Sequence, residues 1–235
     1  MDKAKLQFKR LRRGNYRYLI YAFTGLVLIF IGWLWAKNGV IDGPELAIFR
    51  FFNSSGQIIT DAALVITLAG TIWFSTGLAI FMLFWRRYAF AAEIFIAGVL
   101  VSVVAALIKG FDIRLRPFEI LSNVHIAGIK YTDMGFPSIH ASVITAIAVV
   151  VTPRLGSGFR TAAWILVVLV CISRMILGMH APLDIVGGLG VGIIVGSMIN
   201  YFAGVPKPQL SSIKSLKIKN KKKRQANLKR GQYAE

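Results

Sequence analysis

The sequence predicts an all-α, polytopic membrane protein: a bundle of six transmembrane helices with an interfacial helix after the first span. Three observations carry this. Hydrophobic residues make up 56% of the 235-residue chain and mean hydropathy is +0.63, too apolar for a soluble domain of this length. Apolar runs approaching the roughly 20 residues that cross a bilayer recur along the chain. The runs are continuous rather than alternating, which favours helices over the strands of a barrel.

The spans fall at about 17–36, 59–84, 88–109, 138–152, 160–178 and 183–204. The first follows a basic stretch, as a secretory signal does. It is long for a signal core and no small-x-small cleavage site follows, so it reads as a retained anchor. Residues 44–56, PELAIFRFFNSSG, are too short to span. Pro44 and Glu45 suit a helix start, and Ile48, Phe49, Phe51 and Phe52 cluster among polar residues, which predicts a helix lying along the membrane surface.

The formal net charge is +18, but its distribution points away from nucleic acid. With the N-terminus inside, 21 of the 28 Lys and Arg residues lie in the two tails and the two inner loops. Both termini are therefore expected to be cytoplasmic, and the 110–137 loop and the 179–182 turn to share the outer face of the cell's inner (plasma) membrane. The expected organisation is a basic cytoplasmic tail at 1–16, a membrane domain at 17–205 and a basic, disordered cytoplasmic tail at 206–235. The tails serve as topology signals and are candidates for contact with anionic lipid head groups. They lack the aromatic interleaving of a nucleic-acid module. The single Cys171 lies inside an apolar run and reads as a small buried residue. There is no cysteine metal motif and no Gly-rich phosphate loop.

Three polar clusters sit at the outer ends of the predicted spans: KGFDIRLRP (Lys109–Pro117), FPSIH (Phe136–His140) and SRMILGMHAPLD (Ser173–Asp184). Lys109, Arg116 and Arg174 place three cations on a face where the topology rule disfavours them. Arg offers a planar fork matched to phosphate oxygens, and Lys adds a point charge. Pro137 suits a first helical turn, so Ser138 and His140 open the fourth span where free N–H groups favour an anion. Pro182 likewise opens the sixth span, with His180 on the turn before it and Asp184 in its first turn. At this spacing Asp184 can hold one ring nitrogen of His180 and leave the other as a nucleophile. His140, from another helix, can protonate a leaving oxygen. A lone Arg at a span end is ordinarily a snorkelling anchor, which suffices for Arg50 and Arg86, and His125 reads as an interfacial polar residue. That account fails for three cations, two histidines and an aspartate on one predicted face.

Lys109-x6-Arg116-Pro117, Pro137-Ser138-x-His140 and Ser173-Arg174-x5-His180-x3-Asp184 together resemble the three-part signature of the type-2 phosphatidic acid phosphatase superfamily. The motifs cover 76 residues, and the span layout extends the likeness over most of the chain. The resemblance implies His180 as the nucleophile, forming a phosphohistidine, with Asp184 orienting it. His140 would be the general acid and then help activate water. Lys109, Arg116, Ser138 and Arg174 would hold the phosphate oxygens, with no metal and no cofactor. Where the family usually has Gly, this chain has Ile139.

The expected activity is hydrolysis of a membrane lipid phosphate or diphosphate: a polyprenyl diphosphate, phosphatidic acid, phosphatidylglycerol phosphate or a lipid A phosphate. A lipid phosphotransferase would use the same residues. A transporter would need Lys109 and Arg174 but not the His180–Asp184 pair. The two histidines must differ in protonation, which predicts a bell-shaped pH profile belonging to the pair.

Overall fold

A computed structural model describes residues 3–111, 114–130 and 132–205, with side chains described from Asn15 onward. The expected C-terminal tail, 206–235, lies outside the described residues. The helices are α1 (Lys3–Ala36), α2 (Gly43–Asn53), α3 (Gln57–Ile66), α4 (Ile72–Phe84), α5 (Tyr88–Lys109), α6 (Pro117–Ile120), α7 (Ile139–Val151), α8 (Ser157–Ile176) and α9 (Pro182–Phe202). No strand occurs among the described residues. The basic N-terminal stretch continues the first helix, since α1 begins at Lys3.

Four segments are long and apolar enough to cross a membrane: Asn15–Ala36, α5, α8 and α9. The stretch expected as a single spanning helix over 59–84 is not one helix. It is a broken pair, Gln57–Gly70 and Ile72–Phe84, bent by 60°. Packing explains the break. A Cβ on Gly70 would lie 2.8 Å from the His140 Cβ and 2.9 Å from Val170, so the chain passes α7 and α8 only without a side chain there. Thr71 is then extended, and its hydroxyl accepts a hydrogen bond from Phe74 N–H at 3.3 Å, capping α4. The segment expected as the fourth span is α7. Its 13 residues rise only about 20 Å, and every residue from Ala141 to Val151 is buried. It is the interior post of the bundle.

Small residues let α9 pack on two neighbours at once. On one face, a Cβ at Gly188, Gly192 or Gly196 would meet the carbonyl oxygens of Ser138, Ser142 and Ala146 at 2.6, 2.6 and 2.8 Å. On another, Gly190 and Gly25 of α1 face each other, each Cβ position 2.6 Å from the other's carbonyl oxygen. Lipid supplies little hydrophobic drive between helices, so close backbone approach is the main source of association. At the end where α7 finishes, Arg154 ties three helices. It donates to Val150 O (2.6 Å) and Asn200 Oδ1 (3.2 Å), pairs with Glu93 and lies over the Phe90 ring.

The expected surface helix is α2, and it is anchored rather than lying free. Phe49 is buried, and Asn53 Nδ2 donates to the carbonyls of His125 (2.8 Å), Ile176 (3.1 Å) and Met175 (3.3 Å). Its Oδ1 accepts the His125 N–H at 2.9 Å. Ile48 and Phe51 remain exposed. Thus α2 covers the end of the bundle where α7 and α9 begin.

Candidate active site

The two proline-led helix starts build this end. Pro182 opens α9 after extended Ala181, and Asp184 Oδ2 accepts the Ala181 N–H at 2.9 Å, which closes the first turn. Ser138 caps α7, its hydroxyl accepting from Ala141 N–H at 3.5 Å, after a cis Phe136–Pro137 bond. The starts are stitched together by the Ser138 N–H, which donates to Asp184 O at 2.9 Å. The third polar segment, with Lys109 ending α5 and Arg116 preceding α6, closes over them.

Between these segments lies a cavity of about 340 Å³. Lys109, Arg116, His140, Arg174 and His180 all line it, with Asp133. Gly70 to Trp73, Ser102 and Ile139 form the rest of the wall, so the break between α3 and α4 is one side of the cavity. Ile139 therefore faces the cavity. Five of the seven residues expected from sequence converge on it. Asp184 stands behind His180, fully buried. Ser138 is also fully buried, and its side chain serves the α7 cap.

His180 is clamped from two sides. Its Nδ1 lies 3.5 Å from Asp184 Oδ2, long for a hydrogen bond but within reach of one that tightens on binding. Its Nε2 faces Arg116 Nη1 at 3.3 Å. Burial pushes the imidazole down to about 3; the nearby Asp184 carboxylate opposes this, and the charges of Arg116 and Lys109 add to it. Arg174, buried, donates to the Thr67 hydroxyl at 2.8 Å. Arg116 donates to Met179 O (3.0 Å) and Asp133 O (2.9 Å).

Three contributors carry chemistry that the sequence reading did not assign. Asp133 pairs with Arg116 and lies 3.2 Å from Lys109 Nζ, so its carboxylate sits on two members of the cation set. Burial would raise its carboxyl; the Arg116 hydrogen bond and the Lys109 charge outweigh that and hold it below its ordinary range. Arg114, with a fully buried side chain, donates to Asp184 Oδ1 at 2.7 Å. Glu45 of α2 pairs with Arg114 at 2.8 and 2.9 Å. Arg114 lies within KGFDIRLRP, and the excess of cations on that predicted outer face is the available signal. Glu45 was legible only as a helix-start residue. Among the described residues no three His, Cys, Asp or Glu side chains converge as metal ligands.

Residues 87–205 match the sequence profile of the PAP2 superfamily. The chain is 26% identical over 194 residues to an undecaprenyl-diphosphatase of Sulfolobus acidocaldarius, covering 80% of this chain and 90% of that one. It is 27% identical over 169 residues to a lipid A 4'-phosphatase of Porphyromonas gingivalis, covering 66% and 71%. The fold is similar to the crystal structure of a PAP2-type phosphatidylglycerolphosphate phosphatase from Bacillus subtilis. The TM-score is 0.61 at 20% identity, over 75% of this chain and 94% of the other.

Proposed function

This chain belongs to the PAP2 superfamily and is a membrane lipid phosphatase of that type; from that premise we propose that it hydrolyses a polyprenyl diphosphate, or a glycerophospholipid monoester of similar head-group size, through a phosphohistidine. The observation that carries the reading is the convergence of Lys109, Arg116, His140, Arg174 and His180 on one cavity, with His180 backed by Asp184.

The geometry supports the following steps. Lys109, Arg116 and Arg174 hold the terminal phosphoryl oxygens, where charge is dispersed in the transition state. Ser138 contributes indirectly, its hydroxyl capping α7 and its N–H tying that helix start to Asp184 O. Neutral His180 attacks phosphorus through Nε2. The bond from phosphorus to the leaving oxygen breaks, and His140 gives that oxygen a proton. The resulting phosphoimidazolium keeps its Nδ1–H on Asp184. Water, giving its proton back to His140, then attacks phosphorus and releases inorganic phosphate and neutral His180. The cationic set supplies the charge stabilisation, so the reaction is proposed to run without a metal.

Substrate preference rests on the cavity wall. Ile72, Trp73 and Ile139 put apolar surface beside the cations, which suits a phosphate attached to a lipid. The similarity to an undecaprenyl-diphosphatase over 80% of this chain favours the diphosphate. We place the site on the outer face of the plasma membrane, with both termini cytoplasmic, because Lys and Arg are concentrated at the opposite ends of the spans.

The test is inorganic phosphate release by purified protein from polyprenyl diphosphate, phosphatidic acid, phosphatidylglycerol phosphate and lipid A, in excess chelator, beside His180→Ala. Release by wild type alone, fastest from the polyprenyl diphosphate, is the expected result. Undiminished turnover by His180→Ala would defeat the mechanism. Phosphate appearing on an acceptor lipid instead of in solution would make the enzyme a transferase.

A further inference from the structure

The His180–Asp184 pair does not end at Asp184. Arg114 lies beside it, its side chain fully buried, and directs four N–H groups outward. One reaches Asp184 Oδ1 at 2.7 Å. Two reach the carboxylate of Glu45 at 2.8 and 2.9 Å, and one lies 3.3 Å from Val40 O. Glu45 Oε1 also accepts the N–H of Leu183, in the first turn of α9, at 2.9 Å. A carboxylate on α2 thus grips both the guanidinium that holds Asp184 and the helix turn that carries Asp184.

We infer that Glu45, acting through Arg114, is a positioning residue that fixes Asp184 and keeps its negative charge available to His180. The inference rests on His180 being the nucleophile. Its chemistry is a matter of charge. When Nε2 bonds to phosphorus, the imidazole ring becomes a cation whose Nδ1–H faces Asp184. Arg114 competes for the same carboxylate. Left unbalanced in a buried setting, the guanidinium would act strongly against a second cation one residue away. Glu45 balances it. The planar fork of Arg114 meets Glu45 with two N–H bonds while still reaching Asp184, a bidentate geometry that a lysine ammonium does not match. Burial opposes the charge on Arg114, yet the Asp184 charge and Glu45 outweigh it and hold the guanidinium above its ordinary range. This is the reason for the anchored α2: it brings an acid to the back of the site that sequence neighbours of His180 do not supply.

The test is Glu45→Gln, which keeps the shape and removes the charge. The substrate is farnesyl diphosphate radiolabelled on its terminal phosphate, with the full chain in detergent. The expected outcome is a kcat lowered roughly 10- to 100-fold, by analogy with removal of the outer partners of metal-bound histidines, with KM held within about twofold. Formation of acid-labile, His180-dependent phosphoenzyme in a single turnover should slow to the same degree. Arg114→Lys should behave likewise, and Glu45→Asp should recover part of the rate. Wild-type kcat in Glu45→Gln overturns the inference. So does loss of activity in all three variants that merely tracks loss of folded protein in thermal unfolding, because the contact is then only structural. Phosphoenzyme that persists in His180→Ala would instead overturn the nucleophile assignment beneath it.

Discussion

His180 has an imidazole that burial holds neutral, and this has a consequence for stability as well as for attack. Its folded value, about 3, lies below the ordinary value of 6.5 that the unfolded chain adopts. Between those values the unfolded chain binds the extra proton, so stability rises with pH through the window and is lost as pH falls from about 6.5. Replacing His180 with Asn should flatten the pH dependence of thermal unfolding between about pH 4 and 6.5; an unchanged slope would show the ring is not held neutral. Asp133 offers a second residue-scale prediction. Its carboxylate rests on Lys109 and Arg116, where phosphoryl oxygens are proposed to sit. Asp133→Asn removes that competition, and inhibition by inorganic phosphate and vanadate should tighten several-fold. Weaker inhibition would mean that Asp133 organises the cations instead.

Helix packing makes the glycine pattern of α9 a matter of necessity. Gly192 has two backbone or Cβ atoms of α7 at 2.6 Å from where its own Cβ would be, and backbone cannot move aside cheaply. Gly192→Leu should cost at least the ~1–3 kcal/mol of an overpacked core, read as a lower melting temperature in detergent, and should shift the turn that carries Ser138. Gly77 of α4 has open space around it, so Gly77→Ala should leave stability unchanged or slightly higher. A Gly192→Leu protein as stable as wild type would mean that α7 and α9 are not in close contact. At this scale the sequence was legible where periodicity and proline spoke. Pro44, Pro137 and Pro182 mark three helix starts, and α2, α7 and α9 begin at Gly43, Ile139 and Pro182, each within two residues of its proline. The bend at Gly70 and Thr71 was not legible. The run through 59–84 is uniformly apolar, and only the approach of His140 and Val170 from distant helices breaks it. For the same reason the site cations in KGFDIRLRP were recognisable, while the partner of Arg114 was not: Glu45 lies 69 residues away on another helix.

The whole molecule puts its polar chemistry at one end of the bundle, where α2, the 114–135 segment and the starts of α7 and α9 meet. The other end holds the Arg154 cluster and the short loop before α8. The topology rule applied to the sequence, where 21 of the 28 Lys and Arg residues fall in the tails and inner loops, predicts that this end faces outward. The orientation matters chemically. A lipid diphosphate released on the outer leaflet is accessible only to a site there. Single-cysteine labelling reads it directly, because the native Cys171 is buried in the bundle. Ser122 and Ser157 are both exposed, at opposite ends. In intact cells stripped of outer layers, Ser122→Cys should react with a membrane-impermeant maleimide. Ser157→Cys should react only after the membrane is opened. The reverse pattern would put the phosphatase site in the cytoplasm, and its substrate would then have to be a lipid phosphate of the inner leaflet. The seven cations left at the site end would in that case have overruled the rest, which the topology rule permits only when the crowded tails do not count.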